Sequence, residues 1–121
     1  QPYCNLIAIA ATDDLRYLLF ATTRATRKYA NLMADPRVAV LADNRQNDIA
    51  DFAAAAALTA LGKAWEVQGA ERQQFLTVYL RKHPYLEEFV TSPTCALLRI
   101  KVEKYIVVTR FQEVREIQMS A

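Results

Sequence analysis

The chain has 121 residues, 53% apolar and 23% charged, enough for one compact domain with its own core and unlike a disordered chain. Fifteen basic against thirteen acidic side chains leave a net charge of +2, which gives no ground for a broad nucleic-acid surface. Two cysteines are too few for a disulfide scaffold, and the longest uncharged stretch, Phe52 to Gly62, is mostly alanine and well short of a membrane span. A reduced cytoplasmic protein with no membrane or nucleic-acid partner is the expectation. Gln1 is not a natural start, so a preceding piece is expected as well.

Tyr3 to Ala10 is an apolar run that ends at Thr12-Asp13-Asp14, and Tyr17 to Thr22 is a second. Both read as buried strands joined like a hairpin. A short helix fits from about Thr26 to Ala34, with Thr26 at the N-cap and Pro36 as the stop. Arg37 to Asp43 is a third strand, and Asn44 to Asp51 reads as a polar loop. Phe52 to Ala60 is alanine-rich, which favours a helix by propensity. From Thr59 onward, Leu61, Trp65 and Val67 recur at period two with Lys63 interrupting, as in a strand, while Leu58, Leu61 and Trp65 fit a helix as well. Pattern leaves both open.

Ala70 to His83 is a clearer helix ended by Pro84, with one further turn over Tyr85 to Val90. Cys95 to Arg110 is the longest strand signal. Ala96, Leu98, Ile100, Val102, Ile106 and Val108 share one face, with Lys104 the exception. Over Tyr105 to Val108 both faces are apolar, so one packs inside a barrel and the other needs a helix or a second subunit over it. No β-α-β alternation appears. The expected class is mainly β, a small Greek-key barrel with peripheral helices, in a single domain.

The positive surplus is local. Residues 22 to 45 hold Arg24, Arg27, Lys28, Arg37 and Arg45 against Asp35 and Asp43. Within this segment a strand ends in Thr22 and Thr23, Thr26 stands at the helix N-cap, and Arg27 and Lys28 fill the first turn. Free N–H groups at a helix start favour an anion, and cations placed there oppose the macrodipole. A phosphate would remove the conflict: Arg27 grips two oxygens, Lys28 adds a point charge, and Thr22 and Thr26 donate hydroxyls. The same residues also read as a capped surface helix with solvated cations, and Asp35 near the other end opposes the dipole with no ligand to explain it.

The run Phe20-x-Thr22-x-x-x-Thr26-Arg27-Lys28-x-x-x-Leu32, the turn Asp35-Pro36-Arg37 and the later Leu61-Gly62-Lys63-Ala64 resemble the pyridoxamine 5′-phosphate oxidase-like flavoproteins. The resemblance runs from Gln1-Pro2 to near Arg110 and implies an FMN-binding split β-barrel that works as a homodimer, with a helix and first strand preceding Gln1. It favours a long strand through Gly62. It places Thr22, Thr23, Thr26, Arg27 and Lys28 at the FMN phosphate and ribityl chain. Asn5 falls where true pyridoxamine phosphate oxidases carry an arginine on the flavin, and Ala10 near their substrate-phosphate lysine. Their arginine-rich C-terminal signature is absent. A retained flavin site without the vitamin-substrate site is implied, in an oxidoreductase acting on an unidentified small molecule. The alternative is a non-catalytic flavin, deazaflavin or haem module.

Other residues read two ways. Asn44 and Arg45 reach flavin edges or lie in a solvated loop, and Trp65 stacks on a neighbouring subunit's flavin or packs on its strand. His83 reads as a cation at a helix end, with catalysis or haem ligation as the other option. Cys4 and Cys95 read as small buried hydrophobes. No metal-ligand cluster, Ser-His-Asp set or glycine-rich phosphate loop is present, and no catalytic side chain is assigned.

Overall fold

The computed structural model describes residues 8–43, 55–109 and 114–119. Six strands form one antiparallel sheet: β1 (Ala10–Ala11), β2 (Tyr17–Thr23), β3 (Arg37–Asp43), β4 (Ala55–Glu66), β5 (Cys95–Thr109) and β6 (Val114–Gln118). The helices are α1 (Arg27–Ala34), α2 (Gly69–Lys82) and α3 (Glu87–Val90), with a 3-10 turn over Pro84–Leu86 between the last two. The strand order β1-β2-β5-β4-β3 is a Greek key. β5 holds it together: its first half pairs with β2 and its second half with β6 on the same edge, while β4 runs along the other edge. The chain is a mainly β split barrel.

The β1–β2 turn is set by side chains. The Thr12 hydroxyl donates to Asp14 Oδ1 (2.7 Å), which also accepts the Arg16 amide (3.0 Å). Leu15 takes a left-handed φ of 61°, and its carbonyl accepts the buried Tyr105 hydroxyl at 2.7 Å, so the turn is pinned to the barrel.

β4 settles the alanine-rich stretch as strand from Ala55 onward. Its inner face is Leu58, Ala60, Gly62 and Ala64, all buried, and Leu58, Ala60 and Ala64 pack in the barrel interior with Leu18, Phe20 and Leu98. A Cβ on Gly62 would collide with the Lys101 carbonyl oxygen. Leu61, Lys63 and Trp65 occupy the outer face. The period-two set was therefore legible, but it marks the outside of the barrel.

The face assignment on β5 needs correction. Leu61 pairs with Lys104 and Gly62 with Val102, so Glu103 is an extra residue on β5. A bulge inverts the alternation beyond it. Tyr105 and Val107 are buried with Ala96, Leu98, Ile100 and Val102, whereas Ile106 and Val108 face out with Lys104. The misfit at Lys104 was the mark of this phase change.

Leu18, Phe20, Leu98 and Ile100 fill the barrel, and α1 closes it through Leu32. Leu19, Leu97 and Cys95 point the other way, beneath Leu76 and Tyr79 of α2. Burial of both faces explains the unbroken apolar run of β2. β6 was not expected from the sequence; all five of its residues are exposed. Among the described residues no helix is long and apolar enough to cross a membrane.

Candidate cofactor site

The corner picked out by the threonines and cations is where β2 ends and α1 begins. Thr26 is extended (φ −84°, ψ 157°), and its hydroxyl oxygen accepts the Tyr29 amide at 3.2 Å, a regular N-cap. The same hydroxyl donates to the Thr23 carbonyl at 2.9 Å, and the buried Thr22 hydroxyl lies 3.3 Å away. With its one proton directed to Thr23, Thr26 accepts from Thr22 and serves the corner by shaping it. The Thr26 amide reaches Thr23, which leaves the Arg27 and Lys28 amides as the first-turn N–H groups without an intrahelical acceptor.

The cations divide into two kinds. Arg24 donates to Glu66 and to the Pro93 carbonyl (2.7 Å), and Glu66 also accepts the Tyr29 hydroxyl (2.7 Å). This bond to Glu66 raises the pKa of both Arg24 and Tyr29. Arg37 grips Asp35 with two nitrogens, at 3.0 and 2.7 Å, and holds that carboxyl down at about 2. Asp35, the residue that opposed the dipole, is thereby explained by Arg37. Arg27 and Lys28, between these pairs, have no acidic partner among the described residues. Arg27 is exposed; Lys28 is half-buried, and desolvation lowers its pKa.

The structure thus brings Thr22, Thr23, Thr26, Arg27 and Lys28 to one corner. Asn5, Asn44 and Arg45, like Cys4, lie outside the described residues. Sequence reasoning missed Glu66 and Tyr29, whose bond joins β4 to the first turn of α1. The only signal was a lone acid at the end of an apolar strand. Ala10 is buried beneath α2 and offers no polar group. His83 stands at the C-terminal cap of α2. It is buried, with Nε2 2.8 Å from the Ile9 carbonyl and Nδ1 3.2 Å from the Tyr85 hydroxyl. Cys95 is buried as expected, and burial pushes its thiol pKa up.

The sequence profile of the pyridoxamine 5′-phosphate oxidase family matches residues 1–109. The chain belongs to this family. Comparison with curated proteins returned no match. Among solved structures, a heme binding protein from Mycobacterium smegmatis is similar at 15% identity and a TM-score of 0.68, over 93% of this chain and 51% of that one. A protein of unknown function from Agrobacterium tumefaciens has 19% identity and a TM-score of 0.67, over 88% of this chain and 46% of that one. A Clostridium acetobutylicum protein related to general stress protein 26 has 13% identity and a TM-score of 0.63, over 93% and 73%. The chain thus spans about half the length of the first two. These likenesses carry the split-barrel fold of the pyridoxamine 5′-phosphate oxidase family.

Proposed function

We propose that the chain is an FMN-binding flavoprotein that acts as an oxidoreductase on a small molecule, with the flavin phosphate at the start of α1. One observation carries the reading. Two cations, and two amides without an intrahelical acceptor, stand in the first turn of a capped helix, while the cations on either side are each neutralised by an acid. A half-buried ammonium without a counter-charge is costly, and a dianionic phosphate offsets it. Arg27 would hold two phosphate oxygens, Lys28 would supply charge, and the Thr22 hydroxyl would turn to a third. Thr23 and Thr26 would fix the backbone that aims the amides, and Glu66 would fix Tyr29 and Arg24 behind them. FMN, when bound, would supply the electron chemistry, and the chain would provide position and polarity.

The homodimer belongs to the same proposal. Beyond the bulge, the outer face of β3 to β6 exposes Leu41 (71%) and Val114 (63%) beside Ile106 and Val108. A second copy of the chain would cover this surface.

A haem-binding module is the second reading, raised by the mycobacterial neighbour. His83, the one histidine of the chain, would first have to give up a hydrogen bond at either ring nitrogen. Titration of the purified protein with FMN, followed by flavin fluorescence, tests the first reading. Saturable binding that weakens about a hundredfold in Arg27→Ala/Lys28→Ala supports it. Affinity unchanged in that variant contradicts it.

A further inference from the structure

The outer face of the sheet carries a second group of cations, on the α2 side of the bulge. Arg37, Lys63 and Lys101 stand opposite one another on β3, β4 and β5, with Tyr17 next in the row on β2. Neighbouring strands are about 4.8 Å apart, so three positive charges start within about 10 Å. Asp35 neutralises Arg37. Lys63 and Lys101 form a directly opposed like-charge pair with no acidic partner among the described residues, an arrangement that destabilises a sheet unless an anion joins it.

Two residues along the same strands is a second row, Trp65 opposite Arg99. The Arg99 guanidinium lies between two rings, 5.3 Å from the Tyr17 centroid and 5.7 Å from that of Trp65. Glu71 of α2 approaches it at 3.5 Å, yet Arg99 Nε is buried with no hydrogen-bond partner. Trp65 is 43% exposed although it is the bulkiest side chain on β4. Phe75 of α2, edge-on to Tyr17 at 5.4 Å, closes one side of the block. Glu103 on the bulge is the acid nearest in sequence to Lys101, and it is exposed.

We propose that this block is a second ligand site, for a molecule that joins an aromatic ring to an anionic group, of the mononucleotide class. The ring would lie against the open side of Trp65, and the anion would sit between Lys63 and Lys101. Trp65 and Lys63 are about 7 Å apart along β4, a span that one sugar between a base and a phosphate bridges. The site is distinct from the corner at α1 and does not depend on a flavin there. It also lies on the opposite side of the bulge from the apolar surface assigned to the second copy.

Trp65 is the one tryptophan in the chain, so the protein's tryptophan emission comes from this block. The probes are AMP, adenosine and inorganic phosphate, titrated into the purified protein. AMP is expected to change the emission saturably and to bind more tightly than either fragment. Lys63→Ala/Lys101→Ala is expected to weaken AMP about tenfold or more, and Lys63→Arg/Lys101→Arg to retain it. Both lysines project from the outer face, so the fold should survive, and an unchanged circular dichroism spectrum checks this. Arg27→Ala/Lys28→Ala should leave the AMP response intact. No saturable response, equal affinity for adenosine and AMP, or indifference to the lysine double variant overturns the proposal. Loss of the AMP response in Arg27→Ala/Lys28→Ala overturns it too, because AMP would then occupy the corner at α1, and the flavin reading would stand. Saturation by polyglutamate but not by AMP would mark an acidic protein partner and overturn the ligand class.

Discussion

The two longer helices begin in opposite ways. α2 carries Glu71 in its first turn and Arg81 and Lys82 in its last, as the macrodipole prefers, and has no side-chain cap at Gln68. α1 has a threonine cap, two cations in its first turn, no acid there and no base in its last turn. α2 also rests on the sheet through Leu76 and Tyr79, whereas α1 buries Leu32. α2, seated on the sheet, follows the charge rule. α1 breaks the rule at the end where its cap is best made, a conflict that the proposed phosphate would remove.

The largest effect that sharpens this contrast is on ligand affinity. Arg27→Ala/Lys28→Ala should weaken FMN about a hundredfold, while Arg81→Ala/Lys82→Ala on α2 should leave affinity within about twofold; parallel fluorescence titrations decide. Next come the starts of the helices themselves. Thr26→Ala should cost about 1 kcal/mol in urea unfolding, and Gln68→Ala less than about 0.5 kcal/mol, since only Thr26 caps. Equal costs would mean that the α1 cap is not structural. Gly69 opens α2 with φ at 63° and nothing within 4 Å of an added Cβ, so Gly69→Ala should cost about 1 kcal/mol through backbone strain alone.

Smaller still is a change of sign at Lys28. Burial lowers its folded pKa, so the unliganded protein gains stability as pH rises from the folded value toward the ordinary 10.5. Lys28→Gln should therefore raise the melting temperature slightly without ligand and lower it with FMN present. A fall in both conditions would show that the ammonium has a partner within the chain. At the other end of α1, Arg37 depresses Asp35 to about 2. Its contribution to stability is full above the ordinary value of 3.8 and is lost as pH falls toward 2; Asp35→Asn should flatten acid unfolding in that window.

How much of this was legible varies with the range of the forces involved. α1 and β3 matched their expected spans because a cap, a proline and strict alternation are local signals. The alanines of β4 misled propensity because Ala60 and Ala64 pack in a barrel core whose other members, such as Leu18 and Leu98, are far away in sequence. The bulge at Glu103 lies in the register between two strands, which periodicity along one strand records only as a misfit. β6 has no buried residue, so no hydrophobic alternation announced it. At the corner, the threonines and cations were visible as a cluster. Which cations were already paired was not, since Glu66 and Arg24 are brought together from 42 residues apart.

The central claim is that the start of α1 holds the phosphate of a flavin. FMN and riboflavin share the ring and the ribityl chain and differ in that phosphate, so their dissociation constants for the purified protein test it most directly. The account predicts that FMN binds at least about a hundredfold more tightly than riboflavin, with the difference abolished in Arg27→Ala/Lys28→Ala. Equal affinities for the two flavins in the unaltered protein would contradict it.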